Sequence, residues 1–268
     1  MRNRKKGYEL LNEYYDKIYV ITINSNLESR INKLKNNLLG LNYEIYMGVE
    51  GKYLTQDEIS KIYNDDEARK IFEKYCKYSF NLEINRSFTL GEIGCTLSHM
   101  NIYKEMLDKG YERVLILEDD AKLMTEHDSI IGDILHEIPE DCDLFYWGYR
   151  WNDSESKISR IKRLFFMTPL KKIRSLFGNK KNDLFSNERF PKPYKKHVWK
   201  AGYHCGGHGY GISKKGAQKI IEINTPIIMM PDQLFAMTTQ ENKLESYVSI
   251  PLIIREDQSI DSSIAKSI

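Results

Sequence analysis

The chain has 268 residues, 41% hydrophobic and 29% charged, with a net charge of +2. That length buries a sizeable core, and the mixture is that of a globular protein, which excludes disordered and fibrous classes. No apolar run approaches the roughly 20 residues of a membrane-spanning helix. In chain order, Tyr15 to Ile23 reads as a first strand carrying Ile18, Val20 and Ile21. Ser25 and Glu28 then have the spacing of a capping box, before Leu27, Ile31, Leu34 and Leu38 at helical intervals and a stop at Gly40. Tyr43 to Met47 is a second strand. This strand–helix–strand opening predicts a parallel α/β sheet with a right-handed crossover. Thr55 with Glu58 repeats the box ahead of one or two helices bearing Ile59, Ile62, Tyr63 and Ile71. Thr89 with Glu92 opens a longer helix through Leu107 that ends near Gly110. Further strands are predicted at Val114–Leu117, Asp143–Gly148, His208–Ile212 and Glu245–Ile250. Ser213 caps a helix with Ala217, Ile220 and Ile221 that stops at Asn224-Thr225-Pro226.

The charge is unevenly spread. Lys157 to Lys200 holds 14 Lys or Arg against Asp183 and Glu188, a local +12, so the remainder carries −10. Within it, Ile161, Leu164, Phe165, Leu170 and Phe177 alternate with basic residues. Such a segment either lies on an anionic membrane surface or docks its apolar side on its own domain. Nucleic acid is not expected, because no recognition motif accompanies the charge. The basic Met1–Lys6 is followed by Gly7-Tyr8-Glu9 instead of an apolar stretch, which argues against a secretory leader. Cys76, Cys95, Cys142 and Cys205 show no disulfide-like spacing. A cytoplasmic setting is expected, peripheral on the inner membrane face if the basic segment binds lipid.

The chemistry concentrates where the apolar run Val114-Leu115-Ile116-Leu117 meets Glu118-Asp119-Asp120. Adjacent carboxylates repel unless a cation or proton offsets them, and the carboxyl ends of strands are where ligands bind in α/β sheets. A hard divalent metal is the expected partner. Residues two apart on an extended chain point the same way, so Glu118 and Asp120 are candidate metal ligands, with Asp120 the direct one, and Asp119 points elsewhere. A phosphatase would need an Asp-x-Asp-x-Thr motif, which Glu118-Asp119-Asp120-Ala121-Lys122 lacks. His204, Cys205 and His208 look like a zinc cluster but want a fourth partner, and Gly206, Gly207 and Gly209 suit close approach to a ligand better, so zinc is not expected.

The string Gly91-Glu92-Ile93-Gly94-Cys95-Thr96-Leu97-Ser98-His99, followed about twenty residues later by Leu115-Ile116-Leu117-Glu118-Asp119-Asp120, resembles glycosyltransferase family 25, the lipooligosaccharide galactosyltransferase family related to collagen galactosyltransferases. Tyr46-Met47-Gly48-Val49-Glu50-Gly51, Gly209-Tyr210-Gly211-Ile212-Ser213-Lys214-Lys215-Gly216-Ala217 and Pro231-Asp232-Gln233-Leu234 are similar to its other segments, in order. The similarity runs from about Tyr15 to Ile264 and is poorest over the basic insertion. Where the family's first strand usually ends in Asn-Leu with an Arg two residues on, this chain has Thr22, Ile23 and Ser25, while Arg30 is retained.

The resemblance implies a GT-A-like single domain over residues 1–268. Its mostly parallel mixed central sheet is flanked by helices, with residues 1–14 as an N-terminal extension and 157–200 as a basic insertion. It implies an inverting, Mn²⁺- or Mg²⁺-dependent transferase using a nucleotide-sugar donor, UDP-galactose above all, and a lipooligosaccharide or lipopolysaccharide acceptor sugar. The alternatives are another donor, a protein acceptor, or a catalytically silent sugar-binding scaffold. Thr22, Arg30, Glu50, His99 and Asp119 are the expected donor contacts, although a histidine on a helix such as His99 is more often a structural hydrogen-bonder. Asp232 is the candidate base for the acceptor hydroxyl, or else only caps the helix near Pro231. Trp147, Tyr149, Trp151, Trp199 and Tyr203 offer sugar-stacking faces or ordinary core packing.

Overall fold

The computed structural model describes residues 5–76, 87–150 and 190–260. Helix α1 (Gly7–Tyr14) leads into strand β1 (Lys17–Thr22), then α2 (Asn24–Asn37) and β2 (Glu44–Met47). β1 and β2 pair in parallel, as the opening pattern predicts. The N-cap of α2 is Ile23, not Ser25. The chain enters the helix directly after β1, so the expected Ser25–Glu28 box falls inside the first turn.

Helices α3 (Gln56–Ile62), α4 (Asp65–Cys76) and α5 (Leu90–Lys109) follow. The other two boxes form as expected. Thr55 Oγ1 accepts from the Glu58 amide at 3.3 Å and Thr89 Oγ1 from the Glu92 amide at 3.3 Å, while each glutamate returns to the cap amide. Each such cap contributes about 1 kcal/mol. Gly110, at a left-handed φ of 71°, ends α5.

Next come β3 (Arg113–Glu118), β4 (Ala121–Leu123), α6 (Ile131–Glu137), β5 (Leu144–Arg150), β6 (Lys192–Pro193), β7 (Val198–Lys200) and β8 (Cys205–Ser213). The last elements are α7 (Lys214–Ile223), α8 (Pro231–Gln240), β9 (Ser246–Ser249) and β10 (Ile254–Glu256). Ser213 caps α7 through the Gly216 amide, as its position predicts.

Eight strands form a mixed central sheet in the order β2-β1-β3-β8-β5-β9-β7-β6, flanked by helices. Three of its pairings are parallel (β1–β2, β1–β3, β5–β9) and four antiparallel. The parallel character of the opening gives way where β8 runs back between β3 and β5. Strands β4 and β10 make a separate ladder. Alternation along β3 splits the core, with Val114 and Ile116 facing Tyr103, Tyr210 and Phe235, and Leu115 and Leu117 facing Leu34, Phe145 and Trp147. Each of these buried apolar side chains contributes roughly 1.5–3 kcal/mol.

Residues 7–14, expected as an extension, form α1 with Leu11 buried in the second cluster. The amphipathic segment Ile161–Phe177 lies outside the described residues, as does Trp151. Among the described residues, no helix is long and apolar enough to cross a membrane.

Candidate active site

Glu118 ends β3 on the face of Val114 and Ile116. On antiparallel β8, Ile212 and Tyr210 face that same core, and Leu117 pairs with Gly209. The next step of the ladder brings His208 beside Glu118. Asp120, in the turn between β3 and β4, closes the group. His208 Nδ1 lies 3.4 Å from Asp120 Oδ1 and 3.6 Å from Glu118 Oε2. One ligand atom from each residue sits within 4.8 Å of the others.

These approaches are electrostatic and are not aligned as hydrogen bonds. Asp120 Oδ1 and both ring nitrogens of His208 are buried without a hydrogen-bond partner. Leaving such atoms unpaired costs about 1–3 kcal/mol each. Burial alone would lower the His208 imidazolium, but Asp120 and Glu118 outweigh it and lift the group to about 10. The two carboxylates thus favour a positive charge beside them, supplied here by the imidazole's proton, which a metal ion would replace on binding the neutral ring. Two carboxylates and an imidazole suit Mn²⁺, and Mg²⁺ less well because of the nitrogen ligand.

Asp119 turns away, as expected. Its Oδ2 accepts from Thr22 Oγ1 at 2.6 Å and its Oδ1 pairs with Arg30 Nη1, and all three residues are buried. The end of β1, the first half of α2 and the turn after β3 are thereby tied together. Glu50 follows β2 and pairs with Lys52 at 2.9 Å. Its loop sits on α5, where Ser98 Oγ accepts from the Val49 amide at 2.8 Å. Gly94 allows this seat, since a Cβ there would stand 2.5 Å from Val49 O and 2.6 Å from Gly51 N. Two residues of the Gly91–His99 string are thus packing devices.

His99 is buried in the core against Tyr210. Its Nδ1 is 2.6 Å from Tyr210 Oη, which also meets Tyr103 Oη at 2.6 Å. Burial lowers its pKa to about 4, so it stays neutral. Asp232 occupies the second position of α8, after the cap Met230 and Pro231, so it is not the N-cap. Its Oδ1 accepts from the Gln233 amide at 2.8 Å, and its Oδ2 from the Gly206 amide at 3.3 Å. Burial pushes its carboxyl up, against those two amide bonds and the charge of Arg150.

The trio His204, Cys205 and His208 does not converge. His204 Nε2 accepts from the Gly202 amide at 2.9 Å and its ring lies 4.1 Å from that of Tyr149. Only His208 joins the acids, and its spacing in sequence did not single it out. The signal was the alternation His208, Tyr210, Ile212, which acquires meaning only once β8 is known to run antiparallel to β3. Trp147 and Tyr149 are buried, Trp147 donating from Nε1 to Tyr15 Oη at 2.6 Å, which is core packing and not a sugar platform.

A family model described as glycosyltransferase family 25 (LPS biosynthesis protein) matches residues 15–235. The chain is 33% identical over 135 residues to an Aedes aegypti protein named glycosyltransferase 25 family member, covering 49% of this chain and 21% of that protein. It is 27% identical over 168 residues to procollagen galactosyltransferase 1 of Danio rerio, covering 61% and 23%. The matched stretches are thus under a quarter of those two relatives' length. Among solved structures, apo mouse xyloside xylosyltransferase 1 aligns over 87% of this chain and 84% of that one, at 9% identity and a TM-score of 0.39.

Proposed function

The chain belongs to glycosyltransferase family 25, and on that premise we propose that it transfers galactose from UDP-galactose to a glycan hydroxyl, inverting the anomeric carbon. The observation that carries this reading is the gathering of Glu118, Asp120 and His208 into one cation-seeking group at the end of a central strand. The names of procollagen galactosyltransferase relatives support galactose as the sugar. The family description supports a lipooligosaccharide or lipopolysaccharide acceptor. A protein acceptor is the second reading, favoured by relatives that are named for procollagen.

Glu118, Asp120 and His208 would hold Mn²⁺ or Mg²⁺, which when bound supplies Lewis-acid stabilisation of the charge developing on the departing diphosphate. Asp232 takes the acceptor hydroxyl's proton on a carboxylate oxygen. The Gln233 and Gly206 amides orient that carboxylate, and its burial makes it a stronger base than an exposed one. Thr22, Arg30 and Asp119 form the nucleotide-side wall, with Arg30 neutralised by Asp119. Glu50 borders the donor from the loop seated on α5. His99 acts through Tyr210, holding β8 so that His208 faces the acids.

For the basic stretch 157–200 the proposed role is binding to an anionic inner-membrane surface or to the acceptor, on the strength of its charge. Its described part is the β6–β7 hairpin, where Lys192, Lys195 and Lys196 are exposed beside Tyr194. A screen of nucleotide sugars for Mn²⁺-dependent diphosphate release tests the reading. Turnover with UDP-galactose is expected, whereas a silent sugar-binding scaffold would bind a donor without turnover.

A further inference from the structure

The acid and histidine cluster has a cationic neighbour that the roles above leave unassigned. Arg150 ends β5. The β5–β8 ladder shifts register between Tyr146 and Gly148 and again between Gly148 and Arg150, which sets Arg150 opposite Cys205 at the start of β8. Beside Cys205, Gly206 holds a left-handed φ of 77°. A Cβ at Gly206 would stand 3.1 Å from Arg150 Cγ and 3.2 Å from His208 Nε2. The glycine leaves open the space between the arginine stem and the histidine ring, which a larger residue would fill. At the tip, Arg150 Nε donates to Glu256 Oε2 at 3.0 Å, and Nη2 pairs with Glu256 Oε1. The same Glu256 Oε2 is 3.9 Å from His208 Nε2, so Glu256 bridges the arginine and the cluster.

Arg150 differs from Arg30, the arginine tied to Asp119. Arg30 is buried, with only 10% of its side chain exposed, whereas 51% of the Arg150 side chain is exposed. Glu256 engages only part of a guanidinium's donor set. A nucleoside diphosphate brings more negative charge than one divalent ion offsets once that ion is also shared with two carboxylates. A half-exposed guanidinium beside the ion's ligands is shaped to take phosphate oxygens two at a time. The hydrogen bonds that Arg150 donates to Glu256, and the charges of Glu256, Asp120 and Glu118, favour the Arg150 cation against the cost of burial.

Resting on the glycosyltransferase reading above, we propose that Arg150 is a diphosphate-binding side chain of the donor site, held beside the metal ligands by Glu256 until a nucleoside diphosphate competes for its guanidinium. The full chain is titrated by calorimetry with UDP, GDP and ADP in the presence of Mn²⁺, and the tightest of them is compared with its own nucleoside. In Arg150→Ala the diphosphate is expected to bind about ten- to hundredfold more weakly, with the nucleoside unchanged within about twofold. Arg150→Lys recovers part of the loss, since it restores charge without the bidentate geometry. Wild-type diphosphate affinity in Arg150→Ala would overturn the proposal and leave the transferase reading standing. An equal loss for nucleoside and diphosphate would also overturn it, because the arginine would then only shape the fold. If wild-type protein binds none of the three diphosphates, the transferase reading falls and the proposal falls with it.

Discussion

Asp232 faces two opposing demands. As a base it must be ionised, yet burial holds its carboxyl above the ordinary range of about 4. A carboxyl raised in the folded state costs stability as pH rises through that folded value, and the cost is absent below the unfolded one. Asp232→Asn removes the charge while leaving an oxygen to accept from the Gln233 or Gly206 amide. The variant should lose about 10²–10⁴-fold in kcat at pH 7 with donor affinity intact, and its melting temperature should not fall. In the wild type, activity should rise with pH through a value above the usual carboxylate range. Near-normal turnover by Asp232→Asn would end the base role. At this scale the sequence was uneven. The differing directions of Glu118, Asp119 and Asp120 followed from two-residue spacing, and they survive although Asp119 and Asp120 sit in a turn. His208 was not legible, because its partners are far away in the chain and only the β3–β8 register brings them near.

Helix α5 shows how a motif can be structural and still build a site. Thr89 and Glu92 fix its start, Gly94 and Ser98 seat the 48–51 loop, and His99 braces Tyr210. Gly94→Ala puts a methyl against the backbone of Val49 and Gly51, which cannot yield as a flexible side chain would. Destabilisation of about 1–3 kcal/mol in urea unfolding is expected, the range for overpacking. Unchanged stability would show that the loop moves freely. The long helices and apolar strands were legible because caps and periodicity agree over many residues. β4, β6, β7 and β10 run two or three residues, too short for a period to declare itself. Ser25 carried a genuine box pattern, but the helix starts straight from the strand end, and local geometry overrode the pattern.

Across the whole molecule, the strand–helix–strand opening predicted the parallel start of the sheet, while the return of β8 between β3 and β5 depended on long-range pairing that no local pattern states. The charge asymmetry sets the basic stretch 157–200, whose described part is the β6–β7 hairpin, against a remainder that carries −10. If that hairpin meets an anionic membrane, replacing Lys192, Lys195 and Lys196 together by Glu should abolish co-sedimentation with phosphatidylglycerol vesicles and leave transferase turnover on soluble acceptors intact. Each basic residue near such a surface contributes about 1 kcal/mol. Equal co-sedimentation by the triple variant would count against membrane contact through this hairpin.

The metal-assisted transfer proposed for Glu118, Asp120 and His208 is tested most directly by UDP release from UDP-galactose in the presence and absence of Mn²⁺, for the wild type and Asp120→Ala. Release should depend on Mn²⁺ in the wild type and fall by at least about 100-fold in Asp120→Ala. Equal rates in the two proteins, or no Mn²⁺-dependent release from any nucleotide sugar, would contradict it.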